Sequence, residues 1–186
     1  MSLDSHLFEF TLQRKVVYDG QLLQVHCDQV RLPDQQVAVR EYIHHPGAVA
    51  ILPLLDEQHI ILERQYRHPL GQVIYEIPAG KRDVGELPLQ CAQRELQEET
   101  GYVAQQWIPL GTFHPCVGYS DELIHLFVAQ NLQELGQREL DEGEFLDVLV
   151  MPLAEAMQKI ESGEITDAKT ILALLRWQSH CAKALL

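Results

Sequence analysis

Residues 80–102, GKRDVGELPLQCAQRELQEETGY, leave the chain around them little freedom. Pro88 suits the first turn of a helix, where a missing N–H leaves no bond unmade, and Gly101 suits the left-handed residue just past a helix end. A helix over about 88–100 follows. At about 100° per residue, Leu89, Ala92 and Leu96 share one stripe and Gln90, Gln93 and Gln97 a neighbouring uncharged polar one. The first stripe is expected inward and the second toward water. Glu95, Glu98 and Glu99 then fall together on an arc of roughly 100°. Three carboxylates so placed repel one another. Arg94, at i to i+4 from Glu98, is placed to pair with it, and a divalent cation is the natural counter-charge for the others. Mg²⁺ prefers hard oxygen ligands and binds through one or two carboxylates plus substrate phosphate. The spacing points to a phosphate-processing Mg²⁺ site, against the plainer alternative of a solvated acidic helix face.

Composition narrows the setting. A chain of 186 residues has room for one domain with a sizeable core and an N-terminal appendage. Its 46% hydrophobic and 22% charged content is ordinary for a globular protein. The formal net charge of -13 repels phosphate backbones, so nucleic acid is not an expected partner. No apolar run reaches the length of a membrane span, and MSLDSHLFEF lacks the basic start and apolar stretch of a secretory signal, so no membrane role is expected. Cys27, Cys91, Cys116 and Cys181 form no CxxC pair and no disulfide framework, which fits a reducing cytoplasm. The histidines, His44-His45 included, lack metal-ligand spacing such as HExxH, so no zinc site is expected.

Along the chain, residues 1–14 are weakly patterned apart from an edge strand around Phe8 to Leu12. KVVYDGQLLQVHCDQVRL reads as a hairpin about Asp19-Gly20, and QQVAVREYIHH as a further strand, so a small antiparallel sheet is expected over residues 1–45. GAVAILPLL and HIILERQ are two strands joined by the polar tip Asp56-Glu57-Gln58, and their near-continuous hydrophobicity implies burial on both faces. Past the central helix come a strand near Trp107 to Phe113, the loop HPCVGYSDE, the strand IHLFVAQ, a polar acidic segment over 131–144 and the strand FLDVLVM. Two helices close the chain, Pro152 to Ser162 and Asp167 to about Ala184. Strands outnumber helices without strict alternation, giving a mixed α/β sandwich or α+β arrangement.

The order of residues from Gly80 to Tyr102 matches, position by position, the Gx5Ex7REUxEExGU signature of the Nudix hydrolases, where U is a large apolar residue. The complete match decides for the cation site over the solvated face. Beyond it, VREYIHHPGAVAILPLL, ERQYRHPLG, YEIPAG, HPCVGYSDELIHLFVA, DEGEFLDV and GEITDAKTILALL resemble the ADP-ribose pyrophosphatase branch of the family. That branch is marked by a proline downstream of the signature, and Pro115 stands 13 residues after Tyr102. The resemblance implies an α/β/α sandwich around a mixed sheet over residues 46–186, with an N-terminal antiparallel sheet over 1–45 that helps form a homodimer and is exchanged between subunits in some members. It implies Mg²⁺-dependent hydrolysis of ADP-ribose to AMP and ribose 5-phosphate, with Mn²⁺ as a substitute. Hydrolysis of GDP-mannose or another nucleoside diphosphate sugar is the nearest alternative. A non-catalytic ADP-ribose sensor is the remaining one, against which stands the full set Glu86, Glu95, Glu98 and Glu99.

Carried over residue by residue, the resemblance assigns the metals to the carbonyl of Ala79 and to Glu95 and Glu99, with Glu98 and Glu86 as further ligands or as residues that orient them. Arg94 would hold Glu86 or Glu98 in place. The general base in related enzymes is a glutamate on an acidic loop, and DEGEF offers Glu142 first and Glu144 second. Arg67 resembles an arginine that contacts the substrate's phosphates, its alternative being a surface ion pair. Arg40 and Glu41 are candidates to reach the nucleotide. Glu76 is a candidate to read a ribose hydroxyl, or else a structural carboxylate.

Overall fold

Asp19-Gly20 turns the chain between two short strands, β1 (Phe10–Gln13) being laid down just before them: β2 spans Val16–Asp19 and β3 Gln24–Arg31. The Gly20 N–H closes the turn on the Leu23 carbonyl at 2.9 Å. A second reversal at Pro33 to Gln36 leads into β4 (Val37–His44), and all four strands pair antiparallel, with β3 touching the other three. The computed structural model describes residues 4–140 and 142–184. It divides into two units, Met1–Pro46 with Cys116–Leu123 and Gly47–Pro115 with Ile124–Leu186. Sequence places Cys116–Leu123 in a plain loop. In the structure it runs beside β4, the Ile43 N–H donating to the Tyr119 carbonyl at 2.8 Å and His44 Nδ1 meeting Asp121 Oδ2 at 2.6 Å. The first unit buries little apolar surface of its own. Val30 is its one fully buried apolar side chain among the described residues, while Phe10 is 65% exposed and Val37 61%.

The second unit begins with β5 (Ala48–Pro53) and β6 (His59–Arg67), both nearly continuous apolar runs and both buried. They read as a hairpin but part company: only Leu54 and Ile60 form a bridge, and each strand joins a different sheet. β5 lies in a four-stranded sheet ordered β8-β5-β10-β9, where β8 is Ala79–Lys81, β9 Tyr102–Phe113 and β10 Ile124–Glu134. Its pairing with β10 is parallel and the others are antiparallel. β6 lies in an antiparallel sheet ordered β11-β6-β7, with β7 at Gln72–Glu76 and β11 at Leu146–Pro152.

Alternation along β5 explains the layering. Val49 and Ile51 meet Cys91, Ala92 and Leu96 of helix α1 (Pro88–Thr100) on one face. Ala50 and Leu52 meet the cluster containing Ala156 of α2 (Leu153–Ser162) and Ala173 and Leu174 of α3 (Ala168–Ala184) on the other. The mixed α/β architecture with its N-terminal antiparallel sheet is thus present. Each fully buried Leu or Ile contributes about 1.5–3 kcal/mol. One expectation is corrected. Leu89 is not inward but 40% exposed, because the packed stripe of α1 starts at Cys91 and runs through Ala92 and Leu96. Gln90, Gln93 and Gln97 do face solvent. No helix among the described residues is long and apolar enough to cross a membrane.

Candidate active site

Helix α1 is delimited at both ends by local chemistry. Pro88 opens it, and the Gln90 side-chain oxygen accepts the Leu87 N–H at 3.3 Å. Gly101, at φ 76°, closes it with its N–H on the Gln97 carbonyl at 2.9 Å. A side chain would be strained in that left-handed conformation. With register set, the acidic arc meets β8. Glu95 and Glu99 are buried, and Glu98 is half-buried.

Gly80 on β8 is there because nothing larger fits. A Cβ at that position would lie 1.9 Å from Glu95 Cδ, so the Glu95 carboxylate occupies the space a side chain would need. The Ala79 N–H donates to Glu99 Oε2 at 3.0 Å. Arg94 gathers the remaining acids. Its Nε and Nη2 bond the two oxygens of Glu86 at 3.0 and 3.1 Å, and its Nη1 donates to Glu95 Oε1 and Glu98 Oε2, both at 2.8 Å. The bidentate guanidinium holds Glu86 down to about 2, well below the ordinary carboxylate value. Burial pushes Glu95 up to about 7, although Arg94 opposes the shift. Burial raises Glu99 as well, and the charges of Glu63, Glu95 and Glu144 add to the rise.

These residues open onto a cavity of about 430 Å³ lined by Ala79, Gly80, Arg94, Glu95, Glu98, Glu99 and Glu144 among others. Of the two acidic-loop candidates, Glu144 lines this cavity and is tethered by Gln65 Nε2 at 3.2 Å. Glu142 is exposed on the preceding turn and is not among that lining.

A second polar cluster is built on β6 and β7. Period-two alternation puts Glu63, Gln65 and Arg67 on one face, where Glu63 is the register partner of Glu76. Arg67 clasps Glu76 with Nε and Nη2 at 2.6 and 2.9 Å. Lys169 from the first turn of α3 binds the same carboxylate. That turn is fixed by Asp167, which accepts the Thr170 N–H at 3.0 Å, while Thr170 Oγ1 accepts the Ile77 N–H at 2.8 Å. Burial alone would raise Glu76, but Arg67 and Lys169 outweigh it and hold the carboxyl below its usual range. The structure therefore brings Arg67 and Glu76 together as an ion pair in which Glu76 is buried and Arg67 exposed. Arg40 and Glu41 belong to the other unit, on β4, where Arg40 pairs with Glu9 at 2.5 Å.

Sequence reasoning missed Glu63 and Lys169. Glu63 had a signal, since Glu63, Gln65 and Arg67 stand at every second position of the strand and so on one face. Lys169 had none, because it reaches Glu76 from 93 residues away.

Do these groups suit a divalent cation? Glu63 Oε1 is buried with no hydrogen-bond partner, and two neighbouring carboxyls are raised by burial and by like charge. Gly80 lets the Glu95 carboxylate occupy the space where a side chain on the strand would stand. All the donors are hard oxygens, the chemistry that Mg²⁺ or Mn²⁺ selects. Among the described residues no three acids already form a ready-made cage, since Arg94 and the Ala79 N–H hold Glu86, Glu95, Glu98 and Glu99. The donor set fits a cation that displaces part of the Arg94 fan.

Comparison with known proteins agrees with this chemistry. Residues 44–174 match the NUDIX domain, and residues 10–43 match the nucleoside diphosphate sugar hydrolase N-terminal domain. The chain is 42% identical over 169 residues to an ADP-ribose pyrophosphatase of Bacillus subtilis (strain 168), covering 90% of this chain and 91% of that one. It is also 42% identical over 167 residues to a methanol dehydrogenase activator of Bacillus methanolicus, covering 89% and 90%. Among solved structures, an ADP compounds hydrolase superposes with a TM-score of 0.85 at 26% identity, covering 96% of this chain and 97% of that one.

Proposed function

The chain belongs to the NUDIX family, and from that membership we propose that it hydrolyses the pyrophosphate bond of ADP-ribose, with Mg²⁺, to AMP and ribose 5-phosphate. The observation that carries the reading is the cavity that Glu95, Glu98 and Glu99 of α1 line together with Gly80 and Glu144. The similarity to an ADP-ribose pyrophosphatase across nine-tenths of both chains supports the substrate.

Glu95, Glu99 and the Ala79 carbonyl would hold the cation, with Glu98 and Glu86 as further ligands or as the acids that orient them. When bound, Mg²⁺, or Mn²⁺ in its place, neutralises the diphosphate and polarises the P–O bond under attack. Arg94 fixes the rotamers of Glu86, Glu95 and Glu98, so the acids are in position before substrate arrives. Glu144 takes one proton from the attacking water while the water oxygen bonds to one phosphorus. The P–O–P bridge then breaks, and the bridging oxygen leaves with the other phosphate. Glu144 is the better base of the two candidates because it lines the cavity, while Glu142 stands on the turn before it. Arg67 contacts the diphosphate by leaving part of its clasp on Glu76, which Lys169 continues to neutralise.

The N-terminal sheet is a dimerisation element that pairs with a second copy, by exchange of the sheet or by packing of its faces. Its support is the exposed set Phe10, Leu12, Tyr18, Val37 and Val39 over a unit with little core. The four unpaired thiols support a cytoplasmic setting. A panel of ADP-ribose, GDP-mannose, NADH and diadenosine polyphosphates, with Mg²⁺ and with product identification, tests the reading. AMP and ribose 5-phosphate from ADP-ribose are expected. Faster cleavage of GDP-mannose would replace the substrate, and inert substrates throughout would end the proposal.

A further inference from the structure

Glu63 is not among the cation ligands, bases or substrate contacts assigned above. It sits mid-strand on β6, 3% exposed, and its Oε1 is buried without a hydrogen-bond partner. Leaving a buried carboxyl oxygen unpaired is unfavourable, and an orphan of this kind calls for an ion or water to complete it. Its surroundings supply more of the same charge. Among the charges acting on Glu99, that of Glu63 is the largest, and Glu144 and Glu76 are the neighbours that act most strongly on Glu63. Three of the positive side chains nearby are already engaged, Arg67 and Lys169 on Glu76, and Arg94 on Glu86, Glu95 and Glu98. Glu63, Glu76, Glu86, Glu95, Glu98, Glu99 and Glu144 thus outnumber the positive side chains around them.

We infer that Glu63 is an additional carboxylate of the cation site, its free oxygen completing the shell of a divalent ion that Glu99 also holds. Glu63 is not among the residues lining the cavity, so it would add charge and a hard oxygen without meeting substrate. A Val or Leu on this strand would satisfy the core as well as its neighbours Ile61 and Leu62 do, and the carboxylate is otherwise a cost with no return. The inference rests on the cation-dependent reading above.

Its test is cation binding, not turnover. Mn²⁺ is titrated into the intact protein and followed by electron paramagnetic resonance and calorimetry, for wild type, Glu63→Gln and Glu63→Leu, with Glu99→Gln as the control. Circular dichroism in EDTA establishes that each variant is folded. Glu63→Gln and Glu63→Leu should each lose tenfold or more in Mn²⁺ affinity, or lose one bound ion, and their Mg²⁺-induced rise in unfolding temperature should shrink with it. If Glu99→Gln loses Mn²⁺ while both Glu63 variants bind it as wild type does, Glu63 is no ligand and this inference fails alone. If wild type itself binds no Mn²⁺, the cation-dependent reading fails with it.

Discussion

Gly80→Ala isolates the role of one missing methyl group. The added Cβ would fall 1.9 Å from Glu95 Cδ, whereas ordinary contact begins at 3.4 Å, so the carboxylate must retreat by 3.4 − 1.9, or 1.5 Å. The obstacle is the far end of a flexible side chain, and Gly80 lies in an ordinary strand pairing opposite Val49, so the backbone need not move. Stability should change by less than about 1 kcal/mol, since the loss of the Glu95–Arg94 contact is partly offset by the lower chain entropy of unfolded alanine. Activity should not be spared. A misplacement of about 1 Å at a reacting centre costs on the order of 10²-fold, so kcat with ADP-ribose should fall by at least that factor and the Mg²⁺ requirement should rise. Steady-state rates over a Mg²⁺ series, with thermal unfolding of the same samples, give both quantities. Gly80→Ala combined with Glu95→Gln should cost little more than Glu95→Gln alone, because both remove the same ligand. A Gly80→Ala protein that turns over within threefold of wild type would refute the reasoning, as would full additivity in the pair.

Other outcomes follow from the same geometry. Glu99→Gln should remain folded and lose most Mg²⁺-dependent turnover; normal rates would remove Glu99 from the cation site. Glu144→Gln should lower kcat by about 10²-fold or more with a smaller change in KM, and Glu142→Gln should do far less; the reverse order would return the base to Glu142. The metal-free protein should lose stability as pH rises. Glu95 keeps its proton to about 7 when folded but only to its ordinary value near 4.5 when unfolded, so the folded state binds more protons between those limits and stability falls across that window. Allowing for solvent screening, the loss is on the order of 2 kcal/mol. Unfolding midpoints in EDTA from pH 5 to 8 should therefore decline, and Mg²⁺ should flatten the decline. A rising midpoint in EDTA would contradict the burial of Glu95.

Local periodicity decided much of this protein without help from the rest of the chain. Pro88 and Gly101 bracket α1 where expected, and three-and-four spacing puts Glu95, Glu98 and Glu99 on one arc with Arg94 in reach of Glu98. These features depend on neighbours within one or two helical turns, which the order of residues states directly. The faces that turn inward were less legible. Leu89 is as apolar as Leu96, yet only Leu96 meets β5, because helix rotation is set by what lies beneath it. The apolar runs of β5 and β6 show burial but not that the two strands enter different sheets.

The chemistry of the site was decided at longer range still. Gly80 enters the sequence reading only as the first residue of the signature, and only packing of α1 on β8 shows that the Glu95 carboxylate fills its place. The sequence ranks Glu142 ahead of Glu144 in DEGEF, whereas the cavity lining includes Glu144 and not Glu142, and Lys169 meets Glu76 only because α3 closes over that strand. Residue order specifies which charges exist and which share a helix face. Tertiary structure alone decides which of them lose their water, and it is the loss of water that raises Glu95 and Glu99, leaves Glu63 unpaired, and makes a cation the natural completion of the cluster.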